Sequence, residues 1–180
     1  MPDHVDDPSR FPEGRFVRPA GPLSAAEIAA NLDVLAALPA RLRTAVHGLD
    51  DARLDTPYRD GGWTLRQVVH HLADSHAHVY LRVRFALAET DPPIRAYDEA
   101  AWAELADART LAVEPSLALL DGVHARLVAL LRAQPAEAFA RRYLHPENGP
   151  QRLDAVTALY AWHSRHHLAH ATRTRERHGW

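Results

Sequence analysis

From Ser24 onward, apolar residues return every three or four positions as Ile28, Leu32, Leu35, Leu38, Leu42, Val46 and Leu49, the spacing that lines one face of an α-helix. Ser24 and Glu27 stand at capping-box separation, so the pattern predicts a first helix from Ser24 to about Gly48. Pro39 falls inside it, where the missing N–H should kink or break the rod. Ahead of this helix, residues 1–23 carry five prolines and no such period. They read as an extended arm packed on the rest of the chain.

After the turn at Asp60, Gly61 and Gly62, Thr64 and Gln67 form a second capping-box pair, and Trp63 can staple onto Val68. Helix two is predicted from Thr64 to about Leu87, with Leu65, Val68, Val69, Leu72, Val79, Val83 and Ala86 on one side and Pro92 and Pro93 beyond its end. A short helical piece follows from about Asp98 to Leu105. Pro115 suits a first-turn position, and Leu117, Leu120, Val123, His124, Leu127, Leu130 and Leu131 mark helix three, ending near Gln134. A loop through His145, Asn148 and Pro150 leads to the last helix, with Asp154 as its expected cap. Its apolar line Val156, Leu159 and Tyr160 runs straight into His163, His167 and His170. The sequence shows no internal repeat and no alternating run long enough for a strand. One domain over residues 1–180 is expected, an all-α four-helix bundle with one long crossover between helices two and three.

The chain has 180 residues, 47% hydrophobic and 24% charged, enough apolar content for a packed core. Basic and acidic residues nearly balance at 21 and 23, so the basic excess of a nucleic-acid binder is missing. There is no cysteine, which excludes disulfides, thiolate metal sites and a cysteine nucleophile. All 21 basic residues are arginine, which removes P-loop and Schiff-base chemistry. No apolar run is long enough to span a bilayer, and residues 1–8 lack the features of a signal peptide. The expectation is a cytoplasmic protein with neither membrane nor nucleic acid as partner.

Histidine is the anomaly, with 13 copies. His70, His71, His76 and His78 fall in one window, and His163, His166, His167 and His170 in another. His163 and His167, four apart on a helix, sit one turn above each other and can converge on one cation. Their place on a core stripe sharpens the point, because a buried imidazole nitrogen without a partner costs about 1–3 kcal/mol. Bonding to serine or carbonyl groups, or a helix at the bundle edge, would also satisfy them. On helix two, periodicity alone selects His76, nearest the apolar stripe, over His71 at its edge.

The stretches W-T-L-R-Q-V-V-H-H-L-A-D-S-H from Trp63 to His76 and Y-A-W-H-S-R-H-H-L-A-H from Tyr160 to His170 resemble the DinB-like metalloprotein superfamily. The arm, Y-R-D-G-G-W at Tyr58 to Trp63, Y-D-E-A-A-W-A-E-L at Tyr97 to Leu105 and the closing Gly179-Trp180 resemble its YfiT branch. The resemblance implies an up-and-down four-helix bundle, a homodimer, and one divalent ion per chain, zinc first and nickel second. In that pattern one ligand stands on helix two, eight residues after the tryptophan and directly before a leucine, and an H-x-x-x-H pair stands on helix four. The implied ligands are therefore His71, His163 and His167, with His76 as the rival for the first position. His170 stands where many relatives carry glutamine, as a partner of the ligands or a structural residue. Asp74 and Ser75 could orient His71, a role ligand histidines ordinarily need filled, or lie on a solvated face. His124 reads first as a core histidine. Arg165, Arg173, Arg175 and Arg177 suit the negative end of the last helix, and Trp102 and Trp162 suit aromatic packing.

Three neutral imidazoles would leave a divalent ion its charge and an open coordination position, the makings of a Lewis acid. Such a site can activate water for hydrolysis or deprotonate a thiol for transfer. The resemblance implies both, a metal-dependent hydrolase and a transferase of small thiols of the bacillithiol type. No glutamate follows a ligand at H-E-x-x-H spacing, so thiol transfer to an electrophile through a metal-held thiolate is favoured. A non-catalytic metal or ligand-binding bundle is the remaining reading.

Overall fold

The structure, a computed structural model, describes residues 7–180. The first six residues of the predicted arm lie outside the described residues. Residues 7–23 run as turns and extended chain along the last helix, fastened by Trp162 Nε1 and Arg173 Nη2, which donate to the carbonyls of Gly14 and Pro12 at 3.1 and 2.7 Å.

Four long helices form the body: α1 (Ala25–Val46), α3 (Leu65–Ala88), α6 (Glu114–Arg132) and α7 (Leu153–His178). Between them lie α2 (Asp51–Leu54), α4 (Glu99–Ala103), α5 (Ala106–Thr110), a 3-10 turn at Ala136–Ala140, and the strands β1 (Arg142–His145) and β2 (Gly149–Arg152). Both expected capping boxes form, Ser24 with Glu27 and Thr64 with Gln67. Each of α1 and α3 packs against both α6 and α7, so α1 faces α3 across one diagonal of the bundle. α1 and α7 run parallel, tied by Asn31 to Thr157 near one end and by Arg175 to the carbonyl of His47 at the other. α3 and α6 also run parallel, with His70 beside Ser116 and His76 beside His124. The up-and-down alternation thus holds within the first and the last pair of long helices. The predicted crossover, residues 89–113, carries the chain back so that α3 and α6 point the same way.

The core divides along the bundle axis. One apolar cluster gathers Leu38, Leu42, Leu65, Val68, Leu72, Leu117, Leu120 and Leu168. The other gathers Ile28, Leu32, Leu35, Val79, Val83, Leu127, Tyr143, Val156 and Tyr160. Between Leu72 and Val79 on α3, and between Leu120 and Leu127 on α6, stand His76 and His124, both fully enclosed. A layer of imidazoles therefore crosses the bundle where leucine would otherwise continue.

Three expectations are corrected. Pro39 does not break α1, which continues to Val46; proline removes the donor to the carbonyl of Leu35, and His124 Nδ1 supplies another at 2.6 Å. A short antiparallel hairpin exists where no strand was expected, pairing Arg142 with Arg152 and His145 with Gly149. Four-residue strands are too brief to show alternation, and the hairpin is held from outside by Ile94 N and Leu144 N bonding Leu144 O and Pro92 O at 3.0 and 2.9 Å. Asp154 does not cap α7, whose N-cap is Arg152. Its carboxylate instead accepts from Leu23 N at 3.1 Å and pairs with Arg152 Nη2 at 2.9 Å, so it pins the arm to the bundle.

Candidate metal centre

On α3, His71, Ser75 and Arg82 fall within about 40° of one another around the helix and so share one stripe. On α7, antiparallel to α3, Tyr160, His163 and His167 share another. The two stripes are walls of one cleft of about 530 Å³ that also takes in Trp63, Glu99, Tyr143 and His145. His71 Nε2 and His163 Nε2 are 3.1 Å apart, and one ring nitrogen from each of His71, His163 and His167 lies within 4.8 Å of the other two. Three nitrogens about 2.1 Å from one tetrahedral ion would stand about 3.4 Å apart. The trio therefore fits a divalent cation in both donor type and spacing.

Burial, and then the neighbouring histidines, hold His163 and His167 well below the ordinary histidine pKa. Burial, with His166 second, brings His71 down to about 4. All three rings are thus neutral near pH 7 and offer lone pairs. Which nitrogen of His163 carries its lone pair is decided three groups away. The carbonyl of Leu35 only accepts, so His124 Nδ1 holds the proton at 2.6 Å and His124 Nε2 is an acceptor. His76 Nδ1, 2.9 Å away, must then donate, which leaves His76 Nε2 to accept from His163 Nδ1 at 3.2 Å. With its Nδ1 proton committed, His163 presents a bare Nε2 to His71 and the cleft. Burial keeps His76 and His124 neutral as well, so each ring has one proton to place.

His76, the residue favoured by periodicity, is therefore brought to the back of His163 and not to the trio. His124 is buried and satisfied, as a core histidine should be, yet it belongs to the same chain. His170 stacks on Tyr58 at 3.8 Å between ring centres and meets the carbonyl of Arg10 at 3.3 Å, on the arm side of α7. His166, His167 and His170 form a second close group on one helix, in which each Nδ1 is buried without a partner among the described residues. Only the trio bridges two helices and faces the cleft together. His70 points away, to Ser116 at 2.7 Å and the carbonyl of Leu111 at 3.2 Å. Asp74 does not orient His71, and its carboxyl is raised above the usual range, first by burial and then by Asp107. Trp63, expected as a staple, also packs on His71 at 4.8 Å between centres. Trp102 packs on Tyr97 and His78, away from the trio, while Trp162 lines the cleft and stacks on His166. At the end of α7, Arg175 gathers the carbonyls of Ala45 and His47 at 3.2 and 2.8 Å, tying α7 to α1.

Sequence reading did not single out Arg82, Tyr143 or His145 as members of this cleft. Tyr143 and His145 arrive on the hairpin that lacked a periodic signal. Arg82 lies on the stripe of His71, and the sequence signal was an arginine among Val79, Val83 and Ala86 on a helix read as apolar on that side.

The model of the DinB superfamily matches residues 34–171. A protein of Geobacillus kaustophilus bearing the name "Putative metal-dependent hydrolase" is 47% identical over 176 residues, 97% of this chain and 98% of its own length. YfiT of Bacillus subtilis, named in the same words, is 46% identical over 171 residues, 94% of this chain and 96% of its own. The solved structure of Bacillus subtilis YfiT, described as "a probable metal-dependent hydrolase with an unusual four-helix bundle topology", matches with a TM-score of 0.92 at 45% identity, covering 96% of this chain and 99% of that one. A further solved four-helix bundle protein matches with a TM-score of 0.55 at 25% identity over 78% of this chain and 94% of its own.

Proposed function

The chain belongs to the DinB superfamily, and from that membership and the histidine geometry we propose that it is a divalent-metal-dependent enzyme acting on small molecules, with His71, His163 and His167 holding one ion. The observation that carries this is the meeting of three neutral imidazoles from two helices on the wall of an open cleft. A bound zinc or nickel ion would supply Lewis acidity, lowering the pKa of a thiol or water in its open position. His163 is oriented by the chain through His76 and His124 to the carbonyl of Leu35. Trp63 packs on His71 at the cleft wall. An open cleft and three ligands suit a reactive site better than a structural one, which is ordinarily closed by four.

Within this reading, transfer of a low-molecular-weight thiol to an electrophile is favoured over hydrolysis. Hydrolysis calls for a base beside the attacking water, yet among the described residues no carboxylate acts on His71, His163 or His167. The one carboxylate lining the cleft among the described residues, Glu99, acts instead on Tyr97, Tyr160 and His145. Hydrolysis remains the second reading, favoured by the names of the relatives. The deciding experiment offers zinc- or nickel-loaded protein a panel of cellular thiols with a generic alkylating electrophile, and separately an ester with water alone. Thiol-dependent product without ester turnover supports transfer; ester turnover without any thiol requirement establishes hydrolysis in its place.

A further inference from the structure

The cleft is rich in positive charge although the chain carries a formal net charge of −2. Among the described residues, Arg10, Arg59 and Arg82 line it against one carboxylate, that of Glu99. Arg10 is exposed and Arg59 partly so, which leaves their charges to solvent screening. Arg82 is only 8% exposed. Its Nη2 donates to the carbonyl of Arg95 at 3.2 Å, and its Nε is buried with no hydrogen-bond partner among the described residues. No ion pair among the described residues includes it.

The other buried arginine shows what is missing. Arg66, 2% exposed, has Asp51 and Asp55 at 2.7 and 2.6 Å, the pairing a buried guanidinium ordinarily requires. Beside Arg82 stand the hydroxyls of Tyr143 and Tyr160, each hydrogen-bonded to it, and the ring of His145, all three lining the cleft. The Glu99 carboxylate also acts on Tyr160 and His145 but forms no ion pair with Arg82. Arg82 lies on the stripe of α3 that carries His71, eleven residues and about 16 Å further along the helix. A buried cation with no ion-pair partner among the described residues thus faces the same space as the imidazole trio, at its far end.

We infer that Arg82 is the anion-binding residue of this cleft, and that the molecules accepted there carry a carboxylate remote from the reacting group. One guanidinium among neutral hydroxyls matches the single charge of a carboxylate, which takes two parallel N–H donors; a phosphate dianion would call for a second buried cation. The inference deepens the proposed function by naming a substrate class, and rests on it for the placement of the reacting group at the trio.

The test titrates metal-free and zinc-loaded protein with succinate, dimethyl succinate and inorganic phosphate, for wild type, Arg82→Gln and Arg82→Lys, with circular dichroism to follow folding. The metal-free arm excludes direct ligation of the carboxylate by zinc. Wild type is expected to prefer the diacid to the diester in both states, by on the order of 10- to 100-fold for a charged hydrogen bond lost. Arg82→Gln is expected to abolish that preference and Arg82→Lys to keep part of it. Equal binding of acid and ester by metal-free wild type, an undiminished preference in folded Arg82→Gln, or phosphate bound more tightly than succinate would each overturn the inference. Should Arg82→Gln fail to fold, the wild-type acid and ester comparison decides. A protein that prefers the diacid through Arg82 yet takes up no zinc overturns the metal reading and leaves the anion site standing.

Discussion

The carbonyl oxygen of Leu35, deprived of its helical donor by Pro39, sets the proton positions of three histidines in sequence. That chain ends at His163, so the side chains behind the trio should matter to metal affinity almost as visibly as those within it. Replacing His163 or His167 by alanine is expected to release the ion while helical content persists, because both rings border an open cleft; metal content and circular dichroism read the two effects. Full metal occupancy in both variants would refute the ligand assignment. Substituting His76 by leucine keeps the volume but frees the Nδ1 proton of His163 to move. Metal affinity should then fall by about 10- to 100-fold, the range found when a ligand histidine loses its orienting partner. Competition titration with a chelator measures it, and an unchanged affinity would show that the orientation of His163 is fixed by packing alone.

Within α1, a proline that ought to break the helix is tolerated because another helix completes its hydrogen bonding. His124→Leu should therefore strand the buried carbonyl of Leu35 and destabilise the metal-free protein by about 1–3 kcal/mol. In a Pro39→Ala background the alanine N–H can return to that carbonyl, and the same substitution should cost less. A double-mutant cycle in urea unfolding is expected to give a coupling of about 1 kcal/mol, and strict additivity would dissociate Pro39 from His124. The hairpin teaches a related lesson about elements. Four-residue strands with one buried side chain each, Tyr143 and Gln151, carry too little alternation to be read, and their stability comes from backbone bonds to the crossover at Pro92 and Ile94.

Across the whole molecule, the imidazole layer makes folding sensitive to acid. Burial first, and neighbouring rings second, lower the folded-state pKa of His76, His163 and His167 well below 6.5, and that of His71 to about 4. A histidine with a lowered folded pKa binds its proton more readily when unfolded, so stability is complete above about pH 6.5 and is lost as pH falls toward 4. Each such group contributes a slope of about 1.4 kcal/mol per pH unit in that window. Metal-free protein should accordingly show a urea midpoint that drops steeply between pH 7 and pH 5, and a flat midpoint would mean that the rings are solvated in the native state. Zinc should raise the thermal midpoint at pH 7.5, by about 4 kcal/mol of stability at a thousandfold excess over its dissociation constant, and the effect should vanish in His167→Ala.

The sequence by itself determined what is local. Apolar spacing and two capping boxes placed four long helices almost to the residue at the starts of α1 and α3, and the interruption of the last apolar stripe by His163, His167 and His170 marked where chemistry could lie. Tertiary packing decided which helices meet. Periodicity fixes the direction of a residue around its own helix but says nothing of the neighbour in that direction. His76, at the middle of the α3 stripe, points into the bundle interior toward His124; His71, at the edge, points sideways to α7. That difference appears only once α1 lies diagonal to α3 and α7 fills the gap beside it. Arg82 became legible for the same reason. Its missing counter-ion is a property of the space between elements, which no pattern along one chain direction records.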